Sequence, residues 1–432
     1  MQSPLRQIIK DYIGGGWGKD APDKDHVVPA HVIRGTDLDA VQSCDTGGVP
    51  YRWHKPSNAR TRTLMPGDIV FEVSGGSKDQ PVGRSLLLDT VRLARFQAAA
   101  IPASFCKKIR PDQDKVHPRF LLAHLQLAWS DRRIVQWQVQ STGISNFNFE
   151  AFLDDFLIDL PPLPVQQRIA GILSAYDELI ENSQRRIKIL ESMARALYRE
   201  WFVHFRFPGH EHHPRVASPL GEIPQGWEVK RLDEVCRSIQ DGDWIETKDQ
   251  GGEDYRLLQI SNVGVGEFIE TGNFRYVTQA TFDRLRCNEI VPGDLLVARM
   301  PTPIGRGWLV TRMPWRMITA VDVAIIRAEP TVIHPLFLVQ AWNDSSNLQR
   351  ISAQASGTTR LRITRRELAA MEFVIPPIPV QQQFAKIAQP QSTMVEALRQ
   401  QIQNLRRTRD LLLPRLLSGQ IDVSNPPEPV AA

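Results

Sequence analysis

The sequence predicts an α+β protein with an internal pseudo-two-fold repeat, in which two mixed α/β units are joined by a two-helix antiparallel coiled coil. Three observations support this prediction. The segments PPLPVQQ (161–167) and PPIPVQQ (376–382) differ at one position and lie in opposite halves of the chain. Each precedes apolar residues spaced alternately by three and four, which is the pattern of a coiled-coil seam. Shorter anchors also recur in the same order in both halves, which indicates a duplication.

Length and composition limit the class of protein. A chain of 432 residues is too long for one hydrophobic core, so two or more domains are expected. No apolar run approaches the roughly 20 residues of a membrane span, and the N-terminal residues lack the pattern of a secretory signal. The four cysteines lie far apart without a CxxC pair. Free thiols in a reducing compartment, and therefore a cytoplasmic location, are expected.

The first half begins with a mixed α/β unit over residues 1–160. The segment MPGDIVFEVSGG (65–76) predicts a turn followed by a strand. The segment HPRFLLAHLQLAW (117–129) has helical spacing, and QSTGISNF (140–147) reads as a polar loop. The first long helix then occupies residues 161–207.

The second half repeats these anchors in the same order, at an offset that shortens slightly along the chain. The matched pairs are VIRGTD with LLQISN (32–37 and 257–262), MPGDIVFEVS with VPGDLLVARM (65–74 and 291–300), VGR with IGR (82–84 and 304–306), HPRFLLAHL with HPLFLVQAW (117–125 and 334–342), and QSTGISNFN with ASGTTRLRI (140–148 and 355–363). One match could arise by chance, but an ordered series indicates a duplication.

These matches divide the rest of the chain. A linker and the second unit occupy residues 208–375, with Pro, Gly and His concentrated at 208–227. The second long helix covers residues 376–421, and 422–432 read as a loose tail. Pro390 and Pro414 are expected to kink or shorten this second helix.

The helix seams predict how the long helices pair. The first, from about Val165 to Val203, would be a rod of roughly 55 Å at about 1.5 Å per residue. Two such helices in one chain can pack against each other antiparallel. The predicted pairing residues are Leu173, Tyr176, Ile180, Ile187, Leu190, Leu197 and Trp201 in the first helix, and Val395, Leu398, Ile402, Leu405, Leu412 and Leu416 in the second.

The motifs that could indicate an enzyme are weak. GGGWGKD (14–20) lacks the glycine spacing of a phosphate-binding loop. Asn425-Pro426-Pro427 resembles an adenine-methylation motif, but Glu428 replaces the aromatic residue. Glu246-Thr247-Lys248 is too short to identify a nuclease, and the histidines at 210–213 are more often solvated than metal-bound. We therefore expect no catalytic residue and no metal site in this chain.

Nucleic-acid binding is better supported, because basic residues cluster in both units. Residues 51–110 contain eleven Lys or Arg against four acids, and residues 345–366 contain five Arg and no acid. Arginines among small polar residues and glycines suit phosphate oxygens and guanine edges. The candidate DNA contacts are Trp17, Lys19, Arg52, Lys55, Arg60, Arg62, Lys78, Arg84, Thr142 and Gly143 in the first unit, and Arg299, Arg306, Ser356, Gly357, Thr358, Arg360 and Arg362 in the second.

The combination of these motifs resembles one known family. PPLPVQQRIAGIL followed by LIENSQRRIKILESMARALYREWF, then IPQGWEVKRLDEV, the two PGD turns, and IPPIPVQQ followed by LLLPRLLSGQIDV are similar to the specificity subunits of Type I restriction-modification systems. The resemblance covers nearly the whole chain. It departs from an even repeat where Ser141-Thr142-Gly143-Ile144 lacks the arginine that follows Ser356-Gly357-Thr358-Thr359.

The resemblance implies a function without catalysis in this chain. Members of that family read a bipartite site in double-stranded DNA with two target recognition domains. Their helical regions act as a ruler and as docking surfaces for two methyltransferase subunits. Those subunits hold S-adenosylmethionine, and a separate restriction/translocase subunit uses ATP and Mg. The family's recognition domains vary, so individual base contacts cannot be carried over.

Two other hypotheses remain open from the sequence alone. A coiled-coil assembly scaffold that binds proteins but not DNA would need the long helices and not the arginine-rich loops. A fused methyltransferase or nuclease would need a glycine-rich cofactor motif, and none is present. Salt-dependent DNA binding would separate the first of these from a DNA reader.

Overall fold

The computed structural model describes residues 2–75, 80–141, 144–272, 274–301, 303–357 and 360–424. The chain forms two compact units. Unit 1 comprises Met1–Gln184 with Gln400–Ala432, and unit 2 comprises Arg185–Arg399. Each unit therefore combines a mixed α/β region with one part of each long helix.

The α/β region of unit 1 contains twelve strands and five short helices among the described residues. In chain order these are β1 Gln2–Pro4, β2 Ile9–Gly14, β3 Val28–Ile33, α1 Leu38–Gln42, β4 Tyr51–His54, α2 Pro56–Arg62, β5 Ile69–Glu72, β6 Ser74–Gly75, β7 Ser85–Leu87, α3 Thr90–Leu93, β8 Ala99–Pro102, β9 Cys106–Pro111, α4 Pro118–Ser130, β10 Gln138–Ser141, β11 Ile144–Phe147, α5 Phe149–Asp155 and β12 Leu157–Asp159. The first long helix, α6, follows at Leu163–Tyr198.

Two sheets carry most of unit 1. A four-stranded antiparallel sheet has the order β2-β9-β5-β7, and a three-stranded sheet has the order β4-β3-β8, with β3 and β8 parallel. The strand β5 is buried along its whole length and packs Phe71 against Phe152 of α5. The helix α4 contributes Phe120 to the same core. The predicted strand after the first PGD turn and the predicted helix at 117–129 are both confirmed.

The remaining strands and helices lie in unit 2, except that the last helix continues into unit 1 from Gln400. In chain order these are β13 Arg215–Ser218, β14 Gly221–Pro224, β15 Glu228–Arg231, α7 Leu232–Val235, β16 Cys236–Asp241, β17 Tyr255–Leu258, β18 Tyr276–Val277, α8 Gln279–Leu285, β19 Asp294–Ala298, β20 Gly307–Leu309, β21 Arg316–Thr319, β22 Val323–Ala328, α9 Pro335–Asn343, α10 Ser345–Gln354, α11 Arg365–Ala369, β23 Glu372–Ile375 and α12 Ile378–Leu417.

The sheets of unit 2 repeat the topology of unit 1. Its four-stranded antiparallel sheet has the order β16-β22-β19-β20, and its three-stranded sheet has the order β18-β17-β21, with β17 and β21 parallel. A two-stranded pair, β15-β23, corresponds to β1-β12 in unit 1. The predicted duplication is therefore confirmed at the level of strand order and direction.

The two PGD turns show how the repeated residues produce repeated structure. Gly67 and Gly293 have φ of +97° and +95°, a backbone region in which glycine is favoured because it lacks a Cβ. In each turn the aspartate accepts a hydrogen bond from the backbone N–H three residues earlier, at 2.8 Å for Asp68 and 2.9 Å for Asp294. The turn and the strand after it are thus determined locally.

The same two aspartates also hold a neighbouring strand. Asp68 receives two hydrogen bonds from Arg110, both 2.7 Å, and Asp294 receives two from Arg327, both 2.8 Å. A bidentate guanidinium–carboxylate pair is among the stronger polar contacts. The repeat therefore extends from the turns to the strands that pair with them.

The long helices run antiparallel within each unit. In unit 1, Arg168 donates to the carbonyl of Val423 at 3.0 Å, whereas Asp177, farther along α6, accepts from Arg409 at 2.7 Å. As the residue number rises on α6, it falls on the partner segment. The ion pair between Glu191 and Arg399 at 2.7 Å and the packing of Trp201 on Phe384 give the same direction in unit 2.

The ends of the helices differ in part from the prediction. One π-helical turn, Arg199–Val203, extends α6 to Val203, whereas residues 204–207 of the predicted helical region are not helical. The expected shortening of the second helix is wrong, because α12 is helical through both Pro390 and Pro414. A proline removes one backbone donor and crowds the preceding turn. Buried residues near both prolines, such as Ala388 and Leu416, hold the helix in place against that cost.

The segment interpreted as a linker has structure of its own. Residues 215–224 form the hairpin β13–β14, with Gly221 at φ +101° in its turn. Trp227, which follows, is buried against Phe202, Phe205 and Phe207. These aromatic contacts explain why the segment is ordered despite its Pro- and Gly-rich composition.

Two further observations concern membrane-spanning helices and cysteines. None of the helices in the described ranges combines the length and the apolar composition that crossing a bilayer requires. All four cysteines lie in those ranges and are free thiols.

Candidate nucleic-acid interface

The predicted contacts of unit 1 lie on the loop after β2, on β4 and on α2. We call the group Trp17, Lys19, Arg52, Lys55, Arg60 and Arg62 the first basic face. Its side chains are exposed or half-buried.

Part of the first basic face is held by contacts within the protein. The guanidinium of Arg52 lies 4.4 Å from the centre of the Trp17 ring and forms an ion pair with Asp20. Arg62 donates from Nε to the carbonyl of Gly14 at 2.9 Å, which fastens α2 to the end of β2. Lys19 pairs with Asp23 at 2.6 Å. The structure thus brings Trp17, Arg52 and Arg62 together around one loop.

Lys55 is the N-cap residue of α2 and Arg60 lies within this helix, and both cations are exposed. The helix starts at Pro56, which suits the first helical position because its missing N–H has no partner there. Exposed cations of this kind attract DNA phosphates but do not discriminate between base sequences. Their contact with DNA stays a prediction, and Lys78, Thr142 and Gly143 lie outside the described residues.

Arg84 is placed differently from the members of that face. It is half-buried and donates to both carboxylate oxygens of Glu72, at 3.0 Å and 2.8 Å. The hydrogen bonds to Glu72 raise the pKa of Arg84. A guanidinium engaged by a buried carboxylate is poorly suited to a DNA phosphate, so the structure favours a structural role for this residue.

In unit 2, five of the predicted contacts lie within residues 356–362, which we call the arginine loop. Ser356 and Arg362 exchange backbone hydrogen bonds of 3.0 Å and 2.9 Å, which close the loop at its two ends. Gly357 has φ +135°, and a Cβ there would lie 2.4 Å from the carbonyl oxygen of Arg360. A side chain at position 357 would therefore not fit this turn.

The arginines of the arginine loop differ in how they are held. Arg362 pairs with Asp322 at 3.1 Å. Arg360 is exposed, and its guanidinium has no partner among the residues that the structure describes. An exposed arginine on a constrained turn is available to phosphate or to a guanine edge. Ser356 is also exposed, whereas Thr358 lies outside the described residues.

Two predicted contacts of unit 2 require correction. Arg299 is 4% exposed, donates to the carbonyl of Val321 at 2.5 Å and pairs with Asp241 at 3.1 Å. Arg306 is 9% exposed, and its guanidinium donates to four backbone carbonyls, those of Ile260, Val263, Pro301 and Pro303. Burial lowers the pKa of both arginines. The guanidinium of Arg306 is engaged by these carbonyls, and that of Arg299 is buried inside unit 2, which argues against direct DNA contact.

Arg84 and Arg306 nevertheless occupy equivalent places, as the sequence predicted. The carbonyl of Arg84 accepts from the N–H of Glu72, and the carbonyl of Arg306 accepts from the N–H of Ala298, both at 2.9 Å. Alanine cannot supply the carboxylate that Glu72 offers, so Arg306 turns to backbone carbonyls instead.

Sequence reasoning missed three residues, Asp241 at the end of β16, Arg365 in α11 and Trp244 in the loop after β16. Asp241 pairs with the buried Arg299 and lies 3.8 Å from Arg365, which joins the end of β16 to α11. Trp244, three residues after Asp241, is 71% exposed. The arginine-rich segment did contain Arg365, and comparison of GGW (15–17) with GDW (242–244) could have identified Trp244.

The predicted pairing residues of the long helices are all buried or half-buried. Leu173 and Leu416 belong to the core of unit 1, and Trp201 belongs to the core of unit 2. Unit 1 also has a cleft of about 490 Å³ beside its helix segments, with Arg119, Asp177 and Arg409 in its walls. No group of three or more His, Cys, Asp or Glu that could bind a metal ion occurs among the described residues.

Comparison with known proteins finds similarity to one family. Residues 67–192 match the model of the Type I restriction modification DNA specificity domain. The chain is 25% identical over 273 residues to the Type I restriction enzyme MjaIX specificity subunit of Methanocaldococcus jannaschii, a match that covers 63% of this chain and 62% of that protein. It is 26% identical over 295 residues to the MjaVIII specificity subunit of the same organism, with 67% of each covered. The chain thus spans less than two thirds of the length of the first of these relatives.

A solved structure has the same fold. The S subunit of a Type I restriction-modification system from M. genitalium superposes with a TM-score of 0.56, covering 96% of this chain and 95% of that one. The sequence identity of the pair is 13%, so this likeness concerns the fold alone.

Proposed function

We propose that the chain belongs to the Type I restriction-modification DNA specificity family and selects the DNA site on which partner subunits act. The observation that carries this proposal is the repeated topology of the two units. Each unit has arginines among its predicted contacts and an exposed tryptophan in the loop after the edge strand of its four-stranded sheet. Two similar readers in one chain suit a target made of two separate parts. Unit 1 would read one part of a double-stranded site, and unit 2 the other.

The basic surfaces would contribute to binding in two ways. Lys55 and Arg60 present charge on α2, which suits the phosphate backbone and gives affinity that falls with salt. Arg360 stands on a constrained turn, which suits a bidentate contact with the O6 and N7 of a guanine. Arg84, Arg299 and Arg306 support the fold from inside the units and are not part of the proposed interface.

The long helices would hold the partner subunits. Their seams are buried, but each helix also exposes an apolar side chain at the equivalent position of the repeat, Leu179 on α6 and Met394 on α12. The first helix also exposes Ile189 and Met193, and the second exposes Ile387 and Leu411. Several exposed apolar groups along one helix are typical of a protein interaction surface. Two equivalent surfaces suit two copies of one partner, which we propose to be methyltransferase subunits.

The chemistry would belong to those partners. In this proposal the chain is non-catalytic and holds no cofactor. The methyltransferase subunits would bring S-adenosylmethionine, and restriction/translocase subunits would bring ATP and Mg.

The test is DNA binding by the full chain assembled with its methyltransferase subunits. We expect tight binding to one bipartite target and an affinity that falls steeply as salt rises. Exchange of residues 1–160 for those of a relative should change one half of the target and leave the other half unchanged. Assembly with the partners but no binding to DNA at any salt concentration would instead identify a scaffold that binds only proteins.

The Arg360→Ala variant tests the arginine loop within this assay. If Arg360 contacts a guanine, the variant should lose about 1–3 kcal/mol of binding free energy and relax specificity at one base pair. If it contacts phosphate, affinity should fall equally for all sequences and the salt slope should drop by about one. Arg206→Ala is the matched control, because Arg206 lies in unit 2 outside the arginine loop, is exposed and pairs with Glu200. Unchanged affinity and specificity in Arg360→Ala would remove the arginine loop from the interface.

A further inference from the structure

Two tryptophans, Trp17 and Trp244, are exposed among the residues that the structure describes, at 40% and 71%. A single exposed aromatic residue is common on protein surfaces and requires no explanation. These two, however, stand at the same place in the two copies of the duplicated fold. Trp17 follows β2, Trp244 follows β16, and these strands occupy the same edge of the two four-stranded sheets.

The backbone hydrogen bonds establish this equivalence. Two residues before each tryptophan is a glycine whose N–H donates to the neighbouring strand region, from Gly15 to Cys106 at 2.9 Å and from Gly242 to Val323 at 2.8 Å. The next N–H in each loop donates to the residue that ends the parallel strand, Pro102 in unit 1 and Thr319 in unit 2, at 3.0 Å and 2.8 Å. Both loops therefore leave the sheet in the same way.

Close packing fixes both loops. A Cβ at Gly15 would lie 2.0 Å from the carbonyl oxygen of Ala103, and a Cβ at Gly242 would lie 2.3 Å from that of Ala320. Only glycine permits the backbone to approach so closely. The tryptophan that follows each glycine is therefore presented from a constrained loop, which reduces the entropy lost when a ligand covers it.

The rest of the two loops has diverged. Residues 14–19 read GGGWGK and residues 241–246 read DGDWIE, so the glycine and the tryptophan are the shared residues. The fold accounts for the glycine. The fold does not explain why an indole is exposed in both loops, because an indole stabilises a protein when it is buried. A use common to both units would account for it.

The neighbours of the two tryptophans indicate what that use is. Arg52 packs on the Trp17 ring, and Arg62 is bound to Gly14 in the same loop. In unit 2, Asp241 at the start of the Trp244 loop is close to Arg299 and Arg365, which connects this loop to the segment that carries the arginine loop. The Trp17 indole thus contacts a cation, and the loop that carries Trp244 begins at a carboxylate paired with two arginines. This setting suits nucleic acid.

The carboxylates near Trp244 do not oppose this use, because they are already engaged. Asp241 is paired with arginine. Asp243 accepts from the backbone and side-chain nitrogens of Asn288, at 3.1–3.2 Å. Glu246 pairs with Lys248 at 2.8 Å. These contacts reduce the repulsion that a DNA phosphate would meet at this loop.

We propose that Trp244 and Trp17 are equivalent DNA-binding residues, each of which places its indole as a flat apolar surface against a nucleotide of the half-site read by its own unit. This inference rests on the proposed function and extends it to a residue pair that both readers share. In unit 2, Trp244 takes this role although residues 241–246 contain no Lys or Arg.

The experiment uses the full chain assembled with its methyltransferase subunits and compares Trp244→Ala with Trp244→Phe on duplexes that carry the target. Loss of an aromatic stacking contact corresponds to a fall in affinity of about 5- to 100-fold. We expect a fall in that range for Trp244→Ala and at most a few-fold fall for Trp244→Phe, which keeps an aromatic ring. Val216→Ala, at an exposed apolar residue of the β13–β14 hairpin, should bind like the wild type.

The Trp17→Ala variant provides the second arm. With duplexes that carry substitutions in one half-site at a time, Trp244→Ala should lose discrimination in one half and Trp17→Ala in the other. If the wild-type complex binds its target and Trp244→Ala keeps the same affinity and discrimination, the inference is overturned and the proposed function stands. Failure of the wild-type complex to bind any target would overturn both.

Discussion

Gln166 and Gln381, at equivalent positions in the two halves of the chain, make the same set of three backbone hydrogen bonds. Gln166 accepts from the N–H of His117 at 2.9 Å and donates to the carbonyls of Lys115 and Pro161 at 3.1 Å and 2.9 Å. The side chain is 1% exposed. It joins the first turn of α6 to the start of α4, so it fixes how the long helix leaves the α/β region of unit 1.

In unit 2 the side chain of Gln381 accepts from the N–H of His334 at 2.8 Å and donates to the carbonyls of Val332 and Pro376 at 3.0 Å and 2.7 Å. It joins the first turn of α12 to the start of α9. The carboxamide provides one acceptor and two donors, which is what one N–H and two carbonyls require.

Gln381→Ala should therefore destabilise the protein strongly. The substitution leaves a backbone N–H and two carbonyls without partners in a buried place, and we expect a loss of about 2–4 kcal/mol in the free energy of unfolding. Chemical denaturation followed by circular dichroism measures this loss. Gln382→Ala is the control, because Gln382 is the next residue and is exposed. Equal stability of the two variants would contradict the role given to Gln381.

The sequence identified this repeat but not the role of its glutamines. The two PPxPVQQ segments located the start of both long helices, because their similarity is visible without a structure. Which glutamine of each pair is buried depends on how the helix is rotated against α4 or α9. That rotation is set by packing between elements distant in sequence, which periodicity does not reveal.

Asp177 links both long-helix segments of unit 1 to α4. It accepts from Arg409 and from Arg119, both at 2.7 Å. Asp177→Ala should lower the stability of the protein by about 1 kcal/mol, because these half-buried pairs are worth more than exposed ones. The effect should shrink as salt is raised. Asp410→Ala removes an exposed partner of Arg409 and should change stability by less than about 0.5 kcal/mol.

A double-mutant cycle of Asp177→Ala and Arg119→Ala would isolate the contact between them, and we expect a coupling energy of at least about 0.5 kcal/mol. Strict additivity of the two substitutions would mean that the ion pair contributes nothing to stability.

The seam of α12 can be tested by comparing a buried and an exposed leucine on the same helix. Leu398 is 3% exposed and Leu411 is 62% exposed. Leu398→Asp places an unpaired carboxylate in the apolar interface, so we expect the variant to unfold or aggregate. Leu411→Asp should fold with a melting temperature near that of the wild type. Size-exclusion chromatography and thermal denaturation measure both outcomes, and a well-folded Leu398→Asp protein would contradict the pairing.

The seam residues were predictable and the buried arginines were not, for a physical reason. A coiled-coil seam depends on local spacing, so Leu398 and Leu416 were identified from the three-and-four pattern. The burial of Arg299 and Arg306 depends on carbonyls and a carboxylate that come from distant segments, such as Ile260. An arginine in the sequence does not reveal whether its donors are used inside the protein.

The side chain of His124 gives unit 1 a predictable sensitivity to acid. It lies on α4 with its ring against Phe120, at 4.7 Å between ring centres, and its Nε2 is buried without a partner among the described residues. Burial, with a smaller effect from the Arg133 cation, lowers the pKa of His124 from 6.5 to about 4. The charged form of this histidine is therefore disfavoured in the folded protein.

The sign of the effect follows from proton binding. Between pH 6.5 and about 4 the unfolded chain binds a proton at His124 and the folded protein does not, so stability falls as pH falls through this range. At pH 5.5 the loss from this residue should be about 1 kcal/mol relative to pH 7.5.

His124→Gln cannot take up that proton, so the drop in unfolding free energy between the two pH values should be smaller by that amount. His212→Gln, at an exposed histidine, should keep the wild-type drop. The free energy of unfolding of all three proteins is measured by denaturant at both pH values. Each protein is compared with itself at the other pH, so any pH-independent effect of the substitution on stability cancels. A drop in His124→Gln as large as in the wild type would show that other groups, such as the buried His54 and the half-buried His117, carry the acid sensitivity of unit 1.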